Sequence, residues 1–401
     1  MDFRLPEEAR SLQNVIKDFC KREIDWKLMD ELDKKEDPRE RIPWHLMEKL
    51  HDMGIRTITV PEKYGGGGAN WLTTGVVVET LAQYGHPLTF TVSMTLKYCL
   101  DFADFFNEEQ QDEFFPKFIK DYRYCAATSV GEPDSQGDII LPYDEPGAAM
   151  KVFAYRDGDE YVINGDKYHC TGGGIATVYL AYARTDKKAP LSEGASAFIV
   201  PADTPGLSIA RFNHPLGWRS VPDVALYFDN CRIPARYLVG EENKGLSYQH
   251  GRMSGNIVHW GAMVGAAQRI YELCLERAKT RIGGGKPLFE HTHVGQRVAD
   301  MLMCTEAMRT FLYKHLWEYD QWREGLDASV RMKIPTPLGW HMVNIFLKEM
   351  SLRVLSSACE VFGGDAVMVE FPIAEYIRDT YTWQHLGGTP PTNYIKAMQY
   401  L

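Results

Sequence analysis

The feature of the sequence that most limits its fold is a change in hydrophobic period, which occurs twice along the chain. Residues 1–122 are helical in pattern, as in ARSLQNVIKDFCKREID, where apolar residues recur three or four positions apart. From residue 123 to 233 the period shortens to two, in KVFAYRDGDEYVINGDKYHCT, ASAFIVPAD and DVALYFDNCRI. Helical stretches return from residue 234 to 401. These three regions predict an α+β protein with a β domain between two helical domains.

The central region is predicted to be a small, mainly antiparallel, barrel-like β domain. Asp157-Gly158 and Asn164-Gly165 are both typical of hairpin turns, because both residue types tolerate positive φ. The last region holds four long helical stretches, at 246–282, 294–322, 339–362 and 372–383. Four antiparallel helices with short connections predict a four-helix bundle.

Charge and composition exclude several classes of protein. The 401 residues carry 44 basic and 54 acidic side chains, and no basic run argues for nucleic acid or an anionic membrane. No apolar stretch approaches the roughly 20 residues of a membrane span. The acidic start, MDFRLPEEARSL, is unlike a secretory signal, so a cytoplasmic location is expected. Eight scattered cysteines without a CxxC pair favour buried free thiols over a metal site or disulfides.

Two loop segments of the β region carry the strongest local signals. TSVGEPDSQGD and KYHCTGGG combine hydroxyls, backbone amides and glycines, which suit the edge of a flat heterocycle. Taken alone, both segments are better explained as ordinary loops of a β-barrel. The phosphate loop GxxxxGK[ST], the dinucleotide motif GxGxxG, HExxH and GxSxG are all absent from the sequence.

Five motifs, in order, resemble those of the acyl-CoA dehydrogenase family of flavoenzymes. VGEPDSQGD resembles xxEPxxGSD, YVINGDKYHCTGGG resembles YxxNGxKxWITNG, and TRIGGGKPLFEH resembles ERxxFGxxLxxxQ. The other two are HPLGWRSVPDVALYFDNCRIPARYLVGEENKGL and EVFGGDAVMVEFPIAEYIRD. The resemblance spans essentially the whole chain. It implies FAD between the β domain and the terminal bundle, with an acyl-CoA against the flavin.

The resemblance also assigns individual residues. Thr171 would hydrogen-bond the flavin edge near N5, Arg281 would reach the FAD of a neighbouring subunit, and Thr389 would contact the FAD phosphates. The full set implied for FAD is Thr128, Val130, Gly131, Gly137, His169, Thr171, Arg281, Glu360, Gly363, Gly364 and Thr389. The set implied for the substrate is Gly137, Arg252, Asn256 and Gly387. A homotetramer (a dimer of dimers) and an electron-transferring flavoprotein or similar acceptor are the implied partners.

Several positions depart from the family pattern. His169 stands where the family has a tryptophan, Gly131 replaces a threonine, and Gly137 replaces a serine that meets the pantetheine of CoA. Gly284 replaces an aromatic residue and Glu360 a glutamine. These changes are expected to alter single contacts and to leave the site in place.

The catalytic base of the family is missing. WQHLGGTPPTN matches the family segment whose glutamate removes the α-proton of the thioester, and Gly387 occupies the glutamate position. Some relatives carry the base on the first bundle helix, where this chain has Gly255. His259, one helical turn further, is the predicted relocated base, with a structural role as the alternative. Lys97 and Tyr98 are further catalytic candidates. Weaker ones are His385, Asp101 and Asp104.

Three interpretations of the reaction follow from that missing base. The base has moved, or the reaction is not a desaturation but an elimination or an enoyl-CoA reduction, or the chain is a silent subunit that binds flavin or acyl-CoA only. Polar or bulky side chains predicted near the acyl group, Asn256, His259, Trp260 and Lys97, favour a short, cyclic or carboxylated acyl group. An unpaired donor buried against a plain alkyl chain costs about 1–3 kcal/mol. The first interpretation, FAD-dependent oxidation of a non-fatty acyl-CoA, is the one predicted.

Overall fold

The structure is a computed structural model, and it describes residues 4–135, 144–147, 149–246, 257–324 and 338–401. Six helices precede the first strand in the described residues. They are α1 (Glu7–Glu23), α2 (Trp26–Asp33), α3 (Trp44–Asp52), α4 (Trp71–Ala82), α5 (His86–Phe105) and α6 (Glu108–Lys120). Side chains cap three of these helices: Asp25 accepts the Lys27 N–H at the start of α2, Asn70 accepts the Thr73 N–H at the start of α4, and Asn107 and Gln110 form a capping box on α6.

The central region forms an eight-stranded sheet. Its strands are β1 (Ala126–Ser129), β2 (Phe153–Asp157), β3 (Glu160–Cys170), β4 (Val178–Arg184), β5 (Ala195–Pro201), β6 (Leu207–Phe212), β7 (Val224–Pro234) and β8 (Leu238–Val239). Their order is β6-β7-β3-β2-β4-β5-β8, with β1 paired to β4, and a short helix α7 (Leu191–Gly194) precedes β5. Most pairs are antiparallel, as predicted, but β1–β4 and β2–β4 are parallel.

One of the two predicted hairpin turns is wrong. Gly158, with φ +63°, connects β2 to β3 in a tight turn. Asn164-Gly165 instead lies inside β3, where Gly165 has φ +125° and the register against β7 shifts between Ile163 and Gly165. The positive φ that Gly165 provides is used for a β-bulge, which bends the strand without reversing it.

The last region contains five helices among the described residues, joined at one point by a small hairpin. They are α8 (Ile257–Thr280), α9 (Thr292–Glu324), α10 (Leu338–Phe362), α11 (Pro372–Trp383) and α12 (Pro390–Met398), with the strands β9 (Ile282–Gly283) and β10 (Lys286–Pro287) between α8 and α9. Helices α8, α9 and α10 pack against one another, which confirms the predicted helical bundle.

Helix α4 of the first region also belongs to this bundle. Every residue of α4 is buried, and it packs along α8 and α9. A Cβ on Gly261 would lie 2.7 Å from the Gly75 carbonyl oxygen, and one on Gly265 would lie 2.3 Å from that of Glu79. Only glycine therefore allows α8 to approach α4 this closely. The first and last regions share one hydrophobic core.

The described helices include none with an apolar run long enough to traverse a bilayer. All eight cysteines are free thiols; seven are buried and Cys359 is half-buried, as the sequence predicts. A group of side chains able to hold a metal ion does not occur among the described residues.

Candidate functional site

A cavity of about 970 Å³ lies where the β sheet meets the last helices. One wall is formed by Tyr168, His169 and Thr171 at the end of β3 and by the loop that connects β6 to β7. The other wall is formed by the end of α11 and the turn His385–Gly388. This volume lies in the range of sites for cofactors and other large organic ligands.

The β6–β7 loop fixes the two walls relative to each other. The Gly217 N–H donates to Thr382 Oγ1 at 2.9 Å, and the Trp218 N–H donates to Asp379 Oδ1 at 2.7 Å. A Cβ on Gly217 would lie 2.5 Å from the Arg378 backbone, so only glycine fits there. Helix α11 and the sheet are therefore docked by backbone hydrogen bonds directly beside the cavity.

Asp223 joins the polar side chains of the first wall. Its carboxylate accepts hydrogen bonds from Thr171 Oγ1 at 3.0 Å and from Asn213 Nδ2 at 2.5 Å. The Nδ1 atom of His169 lies 3.4 Å from the same carboxylate. His169 has φ +54° and Gly172 has φ +77°, so the chain turns sharply at the end of β3. The sequence prediction placed Thr171 and His169 in one site, and the structure brings both to this cavity.

The segment from Thr128 to Glu132 is held on β3 by a buried ion pair. Lys167 Nζ donates to Glu132 Oε1 and to the Val130 carbonyl, both at 2.8 Å, and the Tyr168 N–H donates to the Gly131 carbonyl at 2.9 Å. Burial lowers the pKa of Lys167 to about 8, and the Glu132 carboxylate offsets part of that effect. Val130 and Gly131 thus have a fixed backbone, whereas Gly137 lies outside the described residues.

Thr128, at the start of this segment, meets one of the predicted catalytic candidates. The hydroxyls of Thr128 and Tyr98 are 2.7 Å apart, which links β1 to α5. Lys97 Nζ lies 5.2 Å from the centroid of the Tyr98 ring. The two candidates on α5 therefore lie close to a residue that the resemblance assigns to FAD.

Two side chains donate hydrogen bonds to the backbone of the turn that carries Gly387. Lys348, on α10, donates through Nζ to the carbonyls of Leu386 at 2.6 Å and Gly388 at 2.5 Å. Asn393 Nδ2 donates to the carbonyls of Gly387, Gly388 and Thr389 at 3.1–3.2 Å. Gly387 and Gly388 have φ +63° and +83°, which favours glycine.

The consequence for the cavity is a wall made of backbone. The carbonyls of the turn are occupied by Lys348 and Asn393, while Gly387 and Gly388 line the cavity. Burial lowers the pKa of Lys348 to about 7. WQHLGGTPPTN therefore forms a cavity-lining turn that side chains of α10 and α12 support, and not merely the end of a helix.

His259, the predicted base, is sealed in the protein interior. It is 4% exposed, its Nδ1 lies 3.3 Å from Ser93 Oγ, and its ring lies beside those of Phe90 and Trp218. Burial, together with the charge of Lys97, lowers the pKa of His259 to about 3. The neutral imidazole is thus the stable form, and its conjugate acid is too strong for an effective general base near neutral pH.

The other candidates are distributed around the site. Asp101 and Asp104 are buried on α5, whereas His385 is exposed and lines the cavity. Arg252, Gly255 and Asn256 lie outside the described residues. The role of His259 as the relocated base stays a prediction.

A second group of predicted FAD residues lies together at one end of the bundle. Arg281 Nη1 is 3.3 Å from Asp365 Oδ2, which also receives a hydrogen bond from Arg277. Asp365 follows Gly363 and Gly364. A Cβ added to either glycine would have no other atom within 4 Å, so the backbone is open there. Open backbone next to an exposed arginine suits an anionic ligand. Glu360, by contrast, pairs with Arg297 at the surface.

Replacing His259 by glutamine is expected to make the protein more stable to acid. The folded pKa of His259 is about 3 and its ordinary value is 6.5, so the unfolded chain takes up a proton first as the pH falls. Wild-type stability therefore decreases between pH 6.5 and 3, by about 1.4 kcal/mol for each pKa unit. Urea unfolding at pH 7 and pH 5 measures the difference.

The exposed His293 provides the control for this substitution. His293→Gln is expected to follow the wild type at both pH values. An equal loss of stability on acidification in wild type and His259→Gln contradicts the prediction.

Sequence reasoning missed Asp223, Lys348 and Asn393. The weak signals were a carboxylate directly before the strand VALYF and a single lysine in the apolar run NIFLKEM. Both residues act through partners that are 38 to 52 positions away in the chain. No local pattern indicates such partners.

Comparison with known proteins identifies the family. The family models for the acyl-CoA dehydrogenase N-terminal, middle and C-terminal domains match residues 6–121, 144–231 and 243–392. Mitochondrial isobutyryl-CoA dehydrogenase of Dictyostelium discoideum is 29% identical over 96% of this chain and 87% of its own. Cyclohex-1-ene-1-carbonyl-CoA dehydrogenase of Syntrophus aciditrophicus is 28% identical over the same shares. The solved structure of butyryl-CoA dehydrogenase from Megasphaera elsdenii, 26% identical, superposes with a TM-score of 0.87 over 100% of this chain and 99% of that one. With three consecutive domain matches and this shared architecture, the chain belongs to the acyl-CoA dehydrogenase family.

Proposed function

We propose that the protein binds FAD and oxidises the acyl group of a CoA thioester. The observation that carries this proposal is the cavity between the end of β3 and the Gly387-Gly388 turn, with the Thr171 hydroxyl on one wall and a backbone turn on the other. FAD, when bound, supplies the acceptor for the hydride that leaves the β-carbon of the substrate. The family membership supports the same assignment.

The chain's own residues would hold the ligands. Thr171 and the backbone of Val130 and Gly131 would meet the flavin, and Thr389 would meet the FAD phosphates. Arg281, exposed beside Gly363 and Gly364, would reach an FAD bound by a neighbouring copy, which supports a homotetramer built from dimers. An electron-transferring flavoprotein or similar carrier is the proposed acceptor, and the cytoplasm the proposed location.

A compact acyl group, cyclic or polar, is the proposed substrate. The interior beside the cavity is filled by aromatic rings: the centroids of Phe90 and Trp218 are 3.9 Å apart, and Trp383 packs against both. Long aliphatic chains need an open channel, which these rings would close. Two relatives that are 28% identical are named for cyclohex-1-ene-1-carbonyl-CoA and cyclohexane-1-carbonyl-CoA. Gly137, Arg252, Asn256 and Gly387 are the proposed substrate contacts.

Removal of the α-proton is the step for which the site is least equipped. His259 is the proposed relocated base, with Lys97 and Tyr98 on α5 as further candidates, yet burial makes His259 weakly basic. Among the described residues that line the cavity, Asp223 is the sole carboxylate, and it already accepts bonds from Thr171 and Asn213. This arrangement favours a second candidate, a family member that eliminates, reduces or only binds its ligand.

Anaerobic titration with a panel of acyl-CoA thioesters is expected to separate these candidates. Cyclohexane-1-carbonyl-CoA and cyclohex-1-ene-1-carbonyl-CoA should bleach the flavin absorbance if the protein oxidises a compact acyl group, and palmitoyl-CoA should not. Product without bleaching supports the non-oxidising candidate. A preparation without bound flavin contradicts the proposal.

Gly387→Glu tests whether the missing carboxylate limits the reaction. The backbone at Gly387 has φ +63°, so the substitution brings some strain, and Gly387→Gln is the control with the same strain and no charge. If a relocated base already works, Gly387→Glu should bleach no faster than Gly387→Gln. Bleaching that appears only in Gly387→Glu indicates that the native site has no functional base.

A further inference from the structure

His169 and Asp223 form an ionisable pair at the wall of the cavity. Nδ1 of His169 lies 3.4 Å from Oδ1 of Asp223, and because a carboxylate only accepts, Nδ1 carries the hydrogen. The second ring nitrogen, Nε2, is then the basic one. The His169 side chain is 53% exposed while that of Asp223 is 10% exposed, so the pair connects the cavity with solvent.

The backbone holds this pair in an unfavourable conformation. A φ of +54° is unfavourable for a residue with a side chain and persists where the surroundings enforce it. Here Asp223 is fixed by Thr171 and Asn213, and the Asn213 N–H also donates to the Asp223 carbonyl at 2.8 Å. Such strain concentrates at functional sites, which points to a use for the position of the imidazole.

The other charged and titratable groups around His169 do not form a similar pair. Arg211, on β6, lies over the ring of Tyr168, which in turn packs against the His169 ring. Across the cavity are His214, Tyr381 and His385. In the described part of the chain, neither of these two histidines has a carboxylate within ion-pair distance. Of the histidines at this cavity, His169 is thus the one with a carboxylate beside it in the described part of the chain.

We propose that His169, oriented by Asp223, is the residue that exchanges protons between the cavity and solvent when a bound flavin is reoxidised. This inference rests on the proposed function. A flavin that has received a hydride loses two electrons and one proton on reoxidation. The electrons pass one at a time to a carrier protein or artificial acceptor, and the Nε2 atom of His169 takes the proton. The imidazolium, paired with Asp223, then releases it to water.

The role differs from that predicted for His259. His259 would act on the substrate, whereas His169 acts in the half-reaction that returns the protein to its starting state. Its effect is therefore measurable without knowledge of the acyl group.

The test uses the purified full-length protein with its flavin reduced by light under anaerobic conditions. Reoxidation by ferrocenium is followed by stopped-flow absorbance across pH 5.5–9 in wild type, His169→Gln, Asp223→Asn and the surface control His293→Gln. We expect His169→Gln to reoxidise about 10²-fold more slowly, in the range of general acid–base effects, and to lose the pH dependence of the rate. Asp223→Asn should also slow reoxidation, because the imidazole loses the carboxylate that orients it.

A second measurement does not depend on flavin. Exchange of the histidine C2 hydrogen for deuterium, followed by mass spectrometry, reports on the surroundings of the His169 ring directly. Asp223→Asn should change the exchange rate of His169 and leave that of His293 as in the wild type. Absence of flavin from the preparation would contradict the proposed function but leave this measurement intact. An unchanged His169 exchange rate in Asp223→Asn, or a wild-type reoxidation profile in His169→Gln, overturns the inference.

Discussion

Replacing Lys167 by methionine is expected to lower the free energy of unfolding by about 3–5 kcal/mol, the cost of breaking one buried ion pair from one side. Among the described residues, the substitution leaves the buried Glu132 carboxylate with the backbone N–H groups of Lys151 and Val152 as its remaining hydrogen-bond donors. It also removes the donor to the Val130 carbonyl, so the segment from Thr128 to Glu132 should loosen. Urea unfolding at pH 7 measures the first effect, and the flavin content after purification the second.

Lys151, whose backbone N–H donates to the same Glu132, provides the matched control. Its ammonium pairs with Asp134, and both side chains are more than 70% exposed. Because exposed ion pairs contribute little, Lys151→Met should unfold as the wild type does. Equal unfolding curves for Lys167→Met and Lys151→Met contradict the assigned importance of the buried pair.

Replacing Lys348 by methionine is expected to destabilise the protein most at alkaline pH. The carbonyls of Leu386 and Gly388 lose their donor, at about 1–3 kcal/mol each. The folded pKa of Lys348 is about 7, below the ordinary 10.5, so the unfolded chain binds this proton more tightly. Wild-type stability therefore rises from pH 7 toward 10.5, and the gain is absent from the variant. Urea unfolding at pH 7 and pH 9 measures the widening difference.

Cysteine ionisation above pH 9 affects both proteins alike and cancels in this comparison. Lys314, paired with Glu318 on the surface of α9, gives the control Lys314→Met, which should track the wild type at both pH values. Hydrogen exchange of residues 385–389 should accelerate in Lys348→Met alone. The prediction is contradicted if the difference in free energy of unfolding between wild type and Lys348→Met is the same at pH 7 and pH 9.

Local pattern was sufficient for most of the fold. Within the described residues, the four long stretches of the last region that were predicted to be helical do form helices, and the period-two segments form strands, because both elements bury one face at a regular spacing. Asn164-Gly165 shows where this reasoning stops. The dipeptide requires positive φ, but whether that makes a turn or a bulge depends on the partner strand β7.

The sequence predicted residues that line the site, but it did not predict the charged groups that hold them in place. Thr171, His169 and Gly387 were indicated by motif, and all three line one cavity. Asp223, whose carboxylate binds the first two, was not predicted. Lys348, which supports the turn of the third, was not predicted either. Packing between elements that are distant in the chain brings each of them to the site. The burial that weakens His259 as a base is likewise a property of the folded state.

The contact between Gly75 on α4 and Gly261 on α8 has a consequence for biosynthesis. These backbones touch although the two glycines are 186 positions apart in the chain. A growing polypeptide therefore exposes the surface of α4 that the folded protein buries, until α8 has been translated. Truncated products that end before residue 257 leave this surface permanently without its cover and are expected to precipitate.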